Sequence, residues 1–303
     1  MSAPRPASAL LLSLLSLGLA ASATPTRPAR RSLLGGQHID GRCPPRFRRC
    51  LAFTFDDGPE IVTTPRLLDM LDAHHVRATF FVVGHRIDGD EPHHRAQRGL
   101  LREIARRGHL LGNHTYHHVV LGNLRPRQIA YEIDRTGDLV ERATGRRPEL
   151  LRAPFGLLTA PRSLGAVAAR NLTPAYWMID THDWEVTSAA AVQDRFRREL
   201  LEHPYGGVVL MHDTRPWSVR AFPLIMQVVA RRNAELVARG EAPFAILNLD
   251  QFVVPRGAEA LRGAPLNVRR RASPVMHRAS PVMNPGYASG VRQRSGEAHA
   301  ATR

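Results

Sequence analysis

The sequence predicts an α/β fold, specifically a distorted or incomplete (β/α) barrel of about seven parallel strands. Three observations lead there. Between residues 49 and 254, short apolar or β-rich runs at 51–55, 78–83, 110–112, 150–153, 174–179, 207–211 and 244–249 alternate with helical periods. Most of these runs are nearly continuous in apolar residues, the pattern of strands covered on both faces. Acids and imidazoles recur just after the runs, where folds of this class gather their functional groups. Alternation of this kind implies parallel strands joined by right-handed crossovers. About seven of them in ~200 residues favours a small or incomplete barrel over an eight-stranded one.

The elements follow in chain order. Thr64-Pro65 opens the first helix, with Thr64 as N-cap and Pro at the first position, running to residue 75. Further helices are expected over 126–144, 161–171, 188–202 and 220–239. Five strand ends carry polar groups: Asp56-Asp57 after the first, 114–118 after the third, Arg152 after the fourth, Asp180 to Trp184 after the fifth and His212-Asp213 after the sixth. Chance solvation does not explain so many acids and imidazoles converging on one end of the sheet.

The two ends of the chain read differently from its middle. The 303 residues suffice for one large domain. Residues 1–23 join a basic start, a short run from Ala9 to Ala20 and the small residues Ala21-Ser22-Ala23, the pattern of a cleaved secretory signal. That run is too short to cross ~30 Å of hydrocarbon, so no stable membrane insertion is expected after the signal is removed. Residues 24–48 read as a linker containing Cys43. Cys43 and Cys50 are the only cysteines. In an exported chain such a pair reads first as a disulfide closing a short loop, with two free thiols as the alternative. Residues 255–303 are rich in Pro, Gly, Ala and Ser and hold a tandem repeat, 271–277 followed by 278–284. They lack an apolar period able to offset ordering entropy and are expected to be disordered.

The formal charge is +15. Nine arginines and two glutamates from Pro255 onward carry about half of it. All the basic residues are arginine, none lysine, a bias that GC-rich codons explain. With an export pattern and no nucleic-acid-binding motif, a nucleic-acid partner is not expected.

The motifs carry the chemistry. Thr54-Phe55-Asp56-Asp57-Gly58-Pro59 places two adjacent carboxylates at a strand end. Side chains alternate along a strand, so the two are expected to diverge and divide labour, one toward a metal and one toward a water. Asp-Asp-Gly-Pro is also ordinary turn composition. His114-Thr115-Tyr116-His117-His118 supplies imidazoles at i and i+4, which on a helical turn lie on one face about 6 Å apart. The pairs His74-His75 and His93-His94 show that this chain also has unremarkable histidines. Adding Asp57 to His114 and His118 gives two imidazoles and a carboxylate with positions left open, the composition of a catalytic metal site.

With these motifs in hand, residues 49–254 resemble the polysaccharide deacetylases of carbohydrate esterase family four. The resemblance rests on five motifs in the family's order: 54–59, 114–118, Arg152-Ala153-Pro154-Phe155-Gly156, Asp180-Thr181-His182-Asp183-Trp184, and Leu210-Met211-His212. It implies a single catalytic domain whose Asp57, His114 and His118 hold a divalent metal, usually zinc. It implies Asp56 as general base and His212 as general acid, with Arg152 and Asp183 forming a charge pair that orients Asp56. The Phe155 N–H would help hold an oxyanion, and Trp184 and Leu210 would line a pocket for the acetyl methyl. The chain departs from the family pattern at Phe155, where Tyr is usual, and at Ala153, where Pro is common. The carboxylate often found after the third motif as partner of the acid histidine is missing from 157–164.

The function this implies is a secreted, periplasmic or envelope-associated monomeric hydrolase. It would remove N-acetyl groups from amino sugars of peptidoglycan, chitin oligomers or an exopolysaccharide. An O-acetyl esterase of the xylan type and a non-catalytic carbohydrate-binding protein are the alternatives.

Overall fold

A computed structural model describes residues 38–252. In chain order the strands are β1 (Cys50–Asp56), β2 (Thr79–Val82), β3 (Leu110–Asn113), β4 (Leu150–Leu151), β5 (Thr173–Pro174), β6 (Ile179–Asp180), β7 (Gly206–His212) and β8 (Ala245–Ile246). The α-helices are α1 (Thr63–Ala73), α2 (Pro92–Arg106), α3 (Pro126–Thr144), α4 (Pro161–Ala168), α5 (Ala189–Glu202) and α6 (Pro216–Ala238). The sheet runs β5-β4-β3-β2-β1-β7-β6, every pairing parallel, and β8 pairs with the start of β1.

The single run expected over 174–179 is two short strands, β5 and β6, at opposite ends of this path. That split fixes the shape of the sheet. Pro174 and Ile179 are joined by a stretch that reaches at most about 18 Å. Seven strands laid flat would hold their outer members about 29 Å apart. The sheet must therefore curl, which makes it the incomplete barrel that the sequence predicts. The gap is filled by irregular chain: Ile39 pairs with Ala175, Tyr176 N–H donates to Ile39 O at 2.8 Å and Met178 N–H to Val208 O at 3.0 Å.

Strand alternation sorts the core. Leu51, Phe53 and Phe55 of β1 and Val209 and Met211 of β7 pack outward against the helices, in a cluster with Leu67, Phe196 and Phe222. Ala52 and Val208 point inward with Ile39, Phe81, Leu249 and Phe252. The same inward face carries Thr54 and Asp56 on β1 and Leu210 and His212 on β7, so the barrel interior is apolar at its base and polar at its C-terminal rim.

Three helices, α3, α4 and α5, match their expected span at one or both ends for visible reasons, α4 starting at Pro161 as expected. Pro126 starts α3, where a missing N–H costs nothing, and Gly145 ends it at φ 74 with its N–H on Glu141 O. Ser188 caps α5, its hydroxyl accepting the Ala191 N–H at 3.2 Å. Thr64 is not a cap. Helix α1 starts one residue earlier, and the Thr64 hydroxyl instead donates to the Asp213 carboxyl at 2.5 Å. Helix α2 was not expected, because only Gln97, Leu101 and Ile104 of it are buried and its apolar period rests on two residues. Cys43 and Cys50 form a disulfide with Cα atoms 5.7 Å apart, tying the preceding segment to the start of β1. No described helix is long and apolar enough to cross a membrane. The signal, most of the linker, and the tail lie outside the described residues.

Candidate active site

The strands deliver the site residues to one rim. Asp56 ends β1 and His212 ends β7, and the register pairs these two residues directly. His114 follows β3, Arg152 follows β4 and Asp183 lies shortly past β6. Parallel strands in a curled sheet point their C-terminal ends inward together, which brings residues over 150 positions apart within reach of one another.

Arg152 anchors the interior. Its guanidinium is fully buried, lies 4.3 Å above the Phe81 ring and 5.4 Å from that of Trp177, and donates to Asp56 Oδ1 at 2.9 Å and Thr54 Oγ1 at 2.7 Å. Its remaining N–H groups reach the carbonyls of Ala175 at 3.1 Å and Tyr176 at 3.3 Å. A buried cation is tolerated only when paired and hydrogen-bonded in this way. Burial still pulls its pKa below the ordinary arginine value, against the pull of Asp56.

Asp57 leaves the strand in the left-handed region, at φ 74. The two carboxylates therefore do not diverge as strand alternation implies. Asp56 Oδ2 lies 3.7 Å and Asp57 Oδ1 3.5 Å from the same atom, His114 Nε2. What separates the two is Arg152, which holds Asp56 alone. The turn that follows needs Gly58 for space: a Cβ there would sit 2.3 Å from both oxygens of the buried Asp213 carboxylate. Burial pushes the Asp213 carboxyl up to about 7, opposed by the Thr64 hydrogen bond.

Asp57, His114 and His118 each present a ligand atom, and these atoms all lie within 4.8 Å of one another. The 114–118 segment is not the helical turn expected. It is an irregular loop with Thr115 at φ 65 and His118 at φ 57, and the two rings meet edge-on with centroids 4.9 Å apart. His114 Nδ1 bonds Arg152 O at 2.7 Å. A carbonyl only accepts, so Nδ1 carries a proton and Nε2 is the His114 atom that faces Asp57. Burial alone would lower the His114 pKa; the Asp56 charge and the contact with Asp57 outweigh it and raise it. Burial drops His118 to about 4, so its ring is neutral. Burial would raise the Asp57 pKa, but the surrounding His114, His212 and His118 imidazoles outweigh it and hold the carboxylate well below its usual range.

These residues fit a divalent cation. Asp57 Oδ1 is buried without a hydrogen-bond partner, while His118 Nε2 and His114 Nε2 stand 3.2 and 3.5 Å from it. Three lone-pair atoms facing one point, two of nitrogen and one of oxygen, make a donor set suited to zinc or a similar ion.

Asp183 does not pair with Arg152. Its Oδ1 accepts from His212 Nδ1 at 2.6 Å and its Oδ2 from the His212 backbone N–H at 2.7 Å. Strand β6 pairs with β7, so the residues beyond β6 reach His212 rather than the far side of the barrel. This supplies the carboxylate partner missing from 157–164. Burial would lower the His212 pKa, but the Asp183 charge and hydrogen bond raise it to about 10. Trp217, which no sequence signal pointed to, fixes the loop by donating its indole N–H to Asp183 O at 2.6 Å.

Phe155 sits at φ 61 beside His118, ring centroids 4.9 Å apart, and its side chain is exposed. Among the described residues its backbone N–H has no hydrogen-bond acceptor. Leu210 is buried two residues before His212, and Trp184 is half-exposed at the rim with its ring 5.8 Å from that of His182. His117, between the two histidines of this donor set, turns away and bonds Glu132.

The chain is similar to known proteins. A family profile described as polysaccharide deacetylase matches residues 45–172. A peptidoglycan-N-acetylglucosamine deacetylase of Bacillus cereus is 33% identical over 165 residues, 54% of this chain and 56% of that protein. The chain thus spans little more than half the length of that relative. A chitooligosaccharide deacetylase of a Bradyrhizobium species is 31% identical over 205 residues, 62% of this chain and 88% of the other. A solved peptidoglycan N-acetylglucosamine deacetylase superposes with a TM-score of 0.57 at 28% identity, over 71% of this chain and 92% of that one.

Proposed function

The chain belongs to the polysaccharide deacetylase family, and from that premise we propose that it is a secreted, metal-dependent hydrolase removing N-acetyl groups from amino sugars of a polysaccharide, with release of acetate. The observation that carries this reading is the meeting of three features at one rim: the Asp57–His114–His118 donor set, the Arg152-held Asp56 and the Asp183-held His212. Residues 1–23 as an export signal and 255–303 as a tail belong to the same proposal, as does a monomeric state.

Asp57, His114 and His118 would hold the ion. When bound, a divalent ion, zinc first among candidates, polarises a carbonyl and lowers the pKa of a water. Asp56 takes the proton of the attacking water; Arg152 holds one of its oxygens and leaves the other free toward the site. The free N–H of Phe155 donates a hydrogen bond to the carbonyl oxygen as negative charge develops on it. His212 carries the proton delivered to the departing sugar nitrogen, and Asp183 keeps it there at neutral pH. Leu210 and Trp184 supply the apolar wall for the methyl group.

The test is acetate release by the purified chain from peptidoglycan, chitooligosaccharides and O-acetylated xylan, before and after chelation. Release from an N-acetylated polymer, lost on chelation and restored by a divalent ion, is the expected result. Full activity in metal-free protein, or release confined to xylan, would overturn it.

A further inference from the structure

The loop between the two metal-binding histidines has an unusual backbone. Thr115 and His118 both occupy the left-handed region, which a β-branched residue such as Thr115 rarely adopts. Such a conformation persists only where its surroundings over-determine it. One edge of the loop is held by the chain after β2: Gly84 N–H donates to Thr115 O and His85 N–H to Tyr116 O, each at 3.0 Å. Thr115 N–H donates to Asn113 Oδ1 at 2.9 Å, and the Asn113 amide in turn donates to Ile133 O on α3 at 2.8 Å.

The other edge presents two successive backbone N–H groups, those of Tyr116 and His117, and both point at one oxygen. Glu132 Oε2 accepts them at 2.9 and 2.8 Å, and Glu132 Oε1 bonds His117 Nδ1 at 2.7 Å. Consecutive N–H groups next to a left-handed residue form a concave nest for an anion. Here the anion is a side chain of the protein itself. The carboxylate is buried, no arginine neutralises it, and among the described residues every hydrogen bond and ion pair it makes is with this loop. A buried acid is costly to keep, and here only two backbone N–H groups and the His117 ring offset that cost, so its placement calls for a gain elsewhere. A chelate supplies one, because ligand spacing decides how tightly an ion is held.

We propose that Glu132 is a positioning residue for the cation site, its carboxylate filling the nest of the 114–118 loop and so fixing His118 opposite His114. The proposal rests on the reading that Asp57, His114 and His118 bind a divalent ion. Outer residues that orient ligands are worth 10–100-fold in metal affinity where removed, and Glu132 acts through the backbone rather than through a ligand's ring.

Titration of the chelator-stripped full chain with Co²⁺, followed by visible absorption, tests it. Glu132→Ala should weaken Co²⁺ binding about 10–100-fold and alter the absorption bands of the bound ion. At saturating Co²⁺ its kcat for acetate release should return to within several-fold of wild type, since no reacting group is removed. Glu132→Gln, which keeps one acceptor for the two N–H groups, should fall between, and it takes over as the test if the alanine variant does not fold. Unchanged Co²⁺ affinity and spectrum in the folded variants would overturn the proposal while leaving the metal reading intact. A wild-type chain that binds no Co²⁺ would overturn both.

Discussion

Asp56 and Asp57 show how one residue's surroundings set its task. Both carboxylates approach His114, so direction does not distinguish them. The difference is that Asp56 shares its charge with Arg152 while one Asp57 oxygen has no partner. Asp56→Asn is therefore expected to keep bound metal and lose about 10²–10⁴-fold in turnover. Asp57→Asn should lose metal, with activity partly restored by excess ion; metal content and acetate release measured on both variants check this, and the reverse pattern would exchange the roles. A second prediction concerns His212. Its folded pKa is raised to about 10, so the acid form fills at neutral pH and the rate falls as pH rises through that value. Asp183→Asn removes the raising charge, and the alkaline limb should move toward the ordinary imidazole range near ~6.5. A pH–rate profile whose alkaline limb stays put would show that Asp183 does not govern the proton. The residues that meet at the rim were legible because the motifs carry them. The Asp183–His212 pairing was not, since it depends on β6 lying beside β7, a neighbour relation that no motif records.

Among the elements, the turn after β1 is the most constrained. Gly58 does not need a left-handed backbone; it needs the absence of a Cβ, because the Asp213 carboxylate occupies that space. Gly58→Ala should cost about 1–3 kcal/mol through overpacking and lower the melting temperature by several degrees. An unchanged melting temperature would mean that Asp213 moves aside freely. The strands were readable where apolar runs were long, as in β1 and β7, and misread where they were short. Residues 174–179 looked like one strand because Ala175, Trp177 and Met178 are apolar, yet that apolar chain bridges the gap between the two edges of the sheet instead of forming one strand. Glu132 sat in a correctly expected helix and still gave no signal, since its partners are backbone N–H groups common to every residue.

For the molecule as a whole, the fold class was legible because alternation of strand and helix allows few arrangements. The order of strands was not: β1, first in the chain, takes the middle of the sheet and receives β7 and β8 from its far end. That placement has a consequence for how the protein is made. A ribosome that has passed Asp183, just beyond β6, has already written the proposed base, all three proposed ligands and the Asp183 carboxylate, yet β1 still has a bare edge along its length. At about 5–20 residues per second, roughly 10–30 s separate the synthesis of β1 from that of the strand that covers it. Until then a run of Phe and Leu stands open to pairing with a neighbouring chain. The nascent protein is thus most prone to aggregate late in its synthesis, and what keeps this central strand apart from other copies during that interval bears on yield as directly as any residue of the finished site.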